Sequence, residues 1–528
     1  MSNVLAPSAL VVRAATGSVL LPGHSVTVAV DLLPALLVVV PILLAVVPIV
    51  LGLRYQRTGW TVAAVTMTVL FAGSVVLADA VRTTDRVVHS LGGWPRAVGI
   101  ELVADPFSTL IVLLVTGVAT ATLAYLRLGG PRGNTFYAGY LLLVGGLLGL
   151  SLTGDIFNMF VFLEIVGLAT YALIATGDSP ESAVAALKYL ILGTIGASLY
   201  LIGVGFLFMA TGTLNMQELS DVLPAAMETD PGLLQGAFVF VFVGFALKVA
   251  QWPLHTWQPD AYQHAPDGVT PVIAALVSTV YAYALGRIMF TVFGVDFLTG
   301  TPHLQAVVMA VGTGSVVAGS TLAVIQTDVK RMFAYSSVSQ FGLVVAAYGL
   351  VSETALIGAI VHLIGHGVMK AGLFVGAGAI ALGYGARTVD AYAGLASRRP
   401  VAAGGTAVLL ISLIGVPPSA GFIGKWYIAL GAVEAEAWPV AAIVFLSTML
   451  TLAYATRLLE KMYFTPSASP VEPPHGPVAT DGGASDVVST GMRALLIGAA
   501  VGAVLLGFAG GAFVDWLAPF TSEVFVDG

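Results

Sequence analysis

The chain has 528 residues, 58% of them hydrophobic and only 9% charged. Soluble domains carry roughly 25% charged residues, so this composition excludes a soluble globular class and defines a polytopic membrane protein. The sequence has no cysteine and a net charge of only −7. Disulfides, iron–sulfur ligation and zinc–thiolate sites are thereby excluded within the chain, and no basic run suggests nucleic acid.

The first thirty residues are mildly apolar, with Arg13 in their middle and no basic start. They do not read as a secretory signal, although a cleaved or additional helix there stays open. Beyond them, a helix needs about 20 apolar residues to cross a hydrocarbon core. That rule predicts fourteen helices: α1 near 32–53, α2 near 60–80, α3 near 104–126, α4 near 135–153, α5 near 155–176 and α6 near 184–210. They continue with α7 near 233–263, α8 near 269–294, α9 near 303–326, α10 near 332–350 and α11 near 353–383. Last come α12 near 403–434, α13 near 437–463 and α14 near 490–517. If the N-terminus is outside, Arg54, Arg57, Arg127, Arg132, Lys330, Arg331, Arg387, Arg398, Arg399, Arg457, Lys461 and Arg493 fall inside. Only Arg13, Arg82, Arg86 and Arg96 then fall outside. Loop cations concentrate on the cytoplasmic side, so this asymmetry puts both termini outside. The stretch 465–489, rich in Pro, Gly and Ser, reads as a flexible inner loop.

Two of these helices are interrupted. Segment α7 carries Lys248 and then Pro253, Pro259, Asp260, Pro266, Asp267 and Gly268; α12 carries Pro417, Pro418, Gly421, Gly424 and Lys425. A lysine at the centre of a membrane helix costs about 3 kcal/mol on insertion scales. A proline also removes a backbone hydrogen bond that lipid cannot replace. Two broken segments at matching places point to inverted repeats around a midplane site. The predicted division is an N-terminal part over 1–134, a first five-helix repeat over 135–294, a second over 303–463, a cytoplasmic loop over 464–489 and a C-terminal part over 490–528.

The lysines are the informative cations. There are six, Lys188, Lys248, Lys330, Lys370, Lys425 and Lys461, and four lie inside apolar segments, whereas the arginines lie mostly in loops and at helix ends. A GC-rich genome accounts for arginine in the loops but not for lysine in costly places. A desolvated lysine can lose its proton and an arginine cannot, so the pattern suits proton movement. Glu164 lies midway along α5, and Lys188 follows in α6, either as a proton-sharing pair or as a salt bridge that orients packing. Lys248 sits beside a polar, non-helical patch of His255, Asp260, His264 and Asp267, which suits a water-lined proton entrance better than a snorkelling anchor. His362, His366 and Lys370 repeat every four residues and share a face of α11. A metal reading of the two histidines lacks a third ligand, so neither metal nor cofactor is expected, and a hydrated proton path fits better. Lys425 then answers Lys248 in the second half.

Five strings carry a resemblance: GDIFNMFVFLEI around Glu164, LKVAQWPLHTWQPDAYQHAPDGVTP, DVKRMFAYSSVSQFG, HLIGHGVMKAGLF and GVPPSAGFIGKWY. In this order over residues 155 to 430 they resemble the antiporter-like subunits shared by Mrp cation/proton antiporters, respiratory complex I and membrane-bound hydrogenases. GGWPRAVGIELVADPFSTL and ATGTLNMQEL resemble the D-type subunit of the Mrp antiporter. The resemblance implies an all-α membrane fold with about fourteen helices, two inverted five-helix repeats and broken helices α7 and α12. It also implies proton transfer through Glu164, Lys248 and Lys425, with Lys188 as an additional helix-6 lysine. The implied function is proton translocation within a multi-subunit sodium/proton antiporter, with a paralogous large subunit and small membrane subunits as partners. The alternative is a proton-pumping membrane subunit of a complex I-like or hydrogenase-like redox enzyme. One position departs from the pattern. Many members place a lysine or histidine within α8 where this chain has Ser278, which leaves a non-transporting structural paralogue as a minor alternative.

Overall fold

The computed structural model describes residues 20–21, 24–25, 30–55, 57–131, 133–466 and 488–525. Arg13, Arg132 and most of the predicted loop over 465–489 lie outside them. Thirteen helices among the described residues are long and apolar enough to cross a membrane. They are α1 Leu33–Gly52, α2 Gly59–Thr84, α3 Pro106–Gly129, α4 Asn134–Leu152, α5 Ile156–Ile174, α6 Pro180–Thr211, α7a Pro231–Lys248 and α8 Thr270–Gly300. The others are α9 Leu304–Ile325, α10 Val329–Leu350, α11 Glu353–Tyr384, α13 Trp438–Tyr463 and α14 Thr490–Phe508. The fourteenth predicted helix, α12, is present as two 15-residue halves, α12a Pro400–Ile414 and α12b Ala420–Glu434. A short helix, α7b Trp257–His264, completes the broken α7.

Many of these helices start at a polar side chain that closes their first turn. Asp105, Asp155, Ser179, Asp328, Ser352, Ser419 and Ser489 each accept from a backbone N–H of the helix they precede. Such caps satisfy N–H groups that the helix itself leaves unpaired. The connections after α2, α4, α6 and α8 meet on one face, the predicted outer one. Those after α3, α5, α7b, α9 and α11 meet on the opposite, predicted inner face. Helices α8, α10 and α11 are enclosed by protein, while α1, α2, α13 and α14 ring the outside with apolar side chains. One of the enclosed helices, α11, carries His362, His366 and Lys370, so protein rather than lipid surrounds these polar groups.

Both breaks have their freed backbone groups re-satisfied by protein, as membrane depth requires. In α7 the indole of Trp257 donates to the Leu247 carbonyl at 2.9 Å, and the Trp252 amide donates to Ser315 Oγ at 2.8 Å. In α12, Gly415 takes a left-handed φ of 94°. Lys425 Nζ then donates to the carbonyls of Leu413 and Ile414 at 3.2 and 3.0 Å. A cation at the carbonyl end of α12a also sits well in that helix's field. The Trp252–Pro253 and Pro417–Pro418 bonds are cis.

Three differences from expectation have a common cause, because a search for 20-residue apolar runs passes over short amphipathic elements. Helix α14 ends at Phe508 rather than near 517, and a separate helix, α15 Gly510–Phe525, follows. Its Trp516 indole donates to the Pro106 carbonyl and its Thr521 hydroxyl to Glu353 Oε1, which pins it across the predicted outer face. An antiparallel hairpin, Val87–Ser90 with Glu101–Ala104, and a short helix, Met216–Thr229, join it there.

Candidate functional site

Glu164 lies halfway along α5, and its Oε1 is buried with no hydrogen-bond partner among the described residues. Lys248, the last residue of α7a, is 1% exposed, and its Nζ also makes no hydrogen bond. The two interact electrostatically without meeting as an ion pair. Their meeting place is visible at Gly167, one turn on from Glu164. A β-carbon there would lie 2.9 Å from the Tyr171 hydroxyl and 3.5 Å from Lys248 Nζ. The ammonium sits 5.4 Å from the centre of the Tyr281 ring on α8. A partly buried acid and a buried amine, each without a fixed partner among the described residues, can exchange protons through intervening water, whereas a locked ion pair holds them.

The next station is polar but not ionisable. Ser278 follows a π-helical segment of α8, Ile273–Val277, and is fully buried. Its hydroxyl lies 3.1 Å from both Gln258 Nε2 and the Tyr262 hydroxyl, which are themselves 3.1 Å apart. This closed triangle links α7b to α8 and stands where a proton carrier is expected.

In the second half, both ring nitrogens of His362 and of His366 are buried without hydrogen-bond partners among the described residues. The two rings are 6.4 Å apart, and His366 packs on Phe341 of α10. Lys370 is fully buried and donates to the Phe333 carbonyl and to Ser336 Oγ on α10. Lys425 meets this row through Gly424. A β-carbon on Gly424 would lie 2.7 Å from the Cα and Cβ of His362 and 2.9 Å from its Nδ1. Gly424→Val should therefore force α12b away from α11, at a cost of about 1–3 kcal/mol. The expected result is a lowered thermal midpoint together with reduced transport, and a variant with an unchanged midpoint would show that the helices are not so closely apposed.

The predicted entrance residues separate into two groups. Lys188 does not meet Glu164. Its Nζ pairs with Asp260 Oδ2 at 2.6 Å, and Asp260 also binds Arg331 Nη1 at 2.8 Å. The reason is geometric: α7b carries its carboxylate to the inner end of α6, closer to Lys188 than the middle of α5 is. Asp267 pairs with Lys330 at 3.0 Å and with Arg387 at 2.9 Å, joining the α7b–α8 turn to α10 and to the end of α11. His264 and Asp267 line a cavity of about 700 Å³ on the predicted inner face, together with Ser182, Asp328, Lys330 and Arg387. His255 and Asp260 stand beyond its lining, and the His255 ring lies 5.9 Å from that of Tyr335. Burial alone would raise the Asp267 carboxyl, but Lys330 and Arg387 hold it below its usual value. A carboxyl depressed on folding adds stability that is present above about pH 4 and lost as pH falls through the lower folded value. Thermal midpoints should thus fall below about pH 4 in the parent and do so less in Asp267→Asn.

Four buried polar residues of the site do not stand out in the sequence: Gln251, Gln258, Tyr262 and Gln340. Gln251 and Gln340 are buried with both amide atoms unpaired. Amides do not titrate and phenols do so only at about pH 10, so neither marks itself in the sequence as a proton carrier. Glutamines inside apolar segments were the available signal.

A family model described as "NADH:quinone oxidoreductase/Mrp antiporter, TM" matches residues 153–451. The chain is 41% identical over 410 residues to the N-type subunit of the NADH-quinone oxidoreductase of Desulforudis audaxviator, covering 76% of this chain and 80% of that protein. It is 34% identical over 382 residues to the D-type subunit of the Na(+)/H(+) antiporter of Alkalihalophilus pseudofirmus, covering 72% and 76%. The structure of an Mrp complex from Dietzia sp. contains a chain that superposes with a TM-score of 0.85 at 25% identity, over 94% of this chain and 98% of that one. The polytopic helical fold is that of membrane subunits found in Mrp antiporters and in NADH:quinone oxidoreductases. This chain is a member of the NADH:quinone oxidoreductase/Mrp antiporter transmembrane family.

Proposed function

We infer that the chain is the proton-translocating subunit, of the D type, in a multi-subunit sodium/proton antiporter of the cell membrane, with both termini outside. The observation that carries this reading is the pair of buried lysines at the two helix breaks, Lys248 and Lys425, with Glu164 beside the first and His362, His366 and Lys370 beside the second. In this reading Glu164 and Lys248 take protons up from the inner cavity past Lys188, His255, Asp260, His264 and Asp267. The Gln258–Tyr262–Ser278 triangle orders water between the halves, and the α11 row passes the proton to Lys425. Lysine, histidine and glutamate can each hold and release a proton near neutral pH once burial shifts them. Residues 135–294 and 303–463 act as the two inverted units, each with its own break.

A second reading, a proton-pumping membrane subunit of a complex I-like enzyme, is favoured by the identity to the N-type subunit of an NADH-quinone oxidoreductase. Purification of the tagged chain with its native partners separates the two. Small antiporter subunits in the complex support the first reading, and an iron–sulfur protein in stoichiometric amount overturns it. The antiporter reading also expects sodium-driven proton movement in vesicles without any redox substrate.

A further inference from the structure

On the predicted outer face lies a second cavity, of about 450 Å³, which the axis described above does not use. Its floor is an ion pair between Asp105 and Arg287, 2.5 Å long, with side chains 9% and 6% exposed. Arg287 is an arginine buried inside a membrane helix, which is costly and rare. Asp105 caps α3 through its Oδ1, which accepts from the Ser108 amide at 2.9 Å, and meets Arg287 with its Oδ2. From Arg287 a polar stripe runs back along one face of α8 toward Ser278. Tyr283 lies one turn below, fully buried, with its hydroxyl donating to the Ser151 carbonyl at 2.8 Å. Thr279 lies one turn below that, with its Oγ1 buried and unpartnered among the described residues. In the other direction, Thr291 lines the cavity with an unpartnered buried Oγ1. Successive members of such a row rise on the order of 6 Å along the helix, a gap that one water bridges. A hydroxyl relays without ionising when it accepts one proton and donates its own, which for Tyr283 requires its O–H to turn from the Ser151 carbonyl toward water.

We propose that this cavity is a second proton outlet, opening from the first half of the subunit, and that the Asp105–Arg287 pair is its gate. The proposal rests on the proton-translocating reading. A proton arriving along Thr279 and Tyr283 is taken up by Asp105. The neutral carboxyl releases Arg287, and the same proton then passes to water in the cavity, restoring the pair. At rest, Arg287 repels protons from the outside. Helix α15 forms one wall of the port: its Phe520 ring lies 5.6 Å from the Arg287 guanidinium, and Glu523 faces Arg86 at 3.5 Å across the mouth.

The absence of cysteine makes the test direct. Ser220→Cys places a thiol on the cavity wall, and Val98→Cys places one on the exposed hairpin connection of the same face. A membrane-impermeant cationic thiol reagent is applied from the outer side of vesicles containing the whole complex. Ser220→Cys should react and lose most of its transport, while Val98→Cys should react without loss. Full transport after complete modification of Ser220→Cys, or no reaction where Val98→Cys reacts, would overturn the outlet. The paired exchange Asp105→Asn with Arg287→Gln keeps size and removes both charges. It should assemble and dissipate an imposed pH gradient faster than the parent, whereas an unchanged leak would make the pair a lock rather than a gate. Loss of transport in Lys248→Met with none on labelling would sink the outlet alone, and retention of transport in Lys248→Met would sink the underlying reading.

Discussion

Lys248→Met is expected to abolish cation/proton exchange while the complex assembles at full yield. Among the described residues the lysine Nζ makes no hydrogen bond and no ion pair, so methionine removes only its approach to the Tyr281 ring. It also relieves a buried charge that costs about 3 kcal/mol on insertion scales. Stability should hold or rise, while proton transfer loses a positioned group worth roughly 10²–10⁴-fold in rate. Exchange is read from the decay of an imposed pH gradient on adding sodium to vesicles. Parent-level exchange would remove Lys248 from the path. Lys425→Met makes an informative contrast. That lysine donates to two backbone carbonyls at the α12 break. Its loss leaves buried acceptors unpaired, so exchange and thermal midpoint should fall together.

Asp267→Ala is the second large expectation, and it acts on stability. Its carboxylate holds Lys330 and Arg387, and the Lys330 side chain is only 7% exposed. Removing one partner strands a buried ammonium, at a cost of about 3–5 kcal/mol. The turn between α7b and α8 would then lose its tie to α10 and to the end of α11. The complex should unfold at a markedly lower temperature in detergent. Asp260→Ala supplies the comparison, because Asp260 and its partner Lys188 are 28% and 38% exposed. Water can replace an exposed partner, so that loss should be about 1 kcal/mol or less. Equal losses from the two variants would mean that the Lys330 site is as open to water as the Lys188 site.

The membrane class, the order of the spanning helices and the two breaks were legible in the sequence for a simple reason. Twenty apolar residues, a proline and a lysine inside such a run are local facts, and lipid allows few ways to accommodate them. Glu164, Lys248, His362, His366, Lys370 and Lys425 stood out for the same reason, since each charge or imidazole lies in a segment that otherwise repels it.

What touches what was not local, and the tertiary structure alone decided it. Lys188 reads as the neighbour of Glu164 because α5 and α6 are consecutive. The break in α7 swings Asp260 under α6, and proximity outweighs order in the chain. Arg287 drew no attention as a site, because its counter-charge lies 182 residues away at the start of α3. Gln258 and Tyr262 became part of the site only because α7b packs on α8 beside Ser278. The sequence by itself therefore determined which residues pay for being buried in a membrane; the fold decided which of them share that burial, because an electrostatic partner is chosen by distance in space.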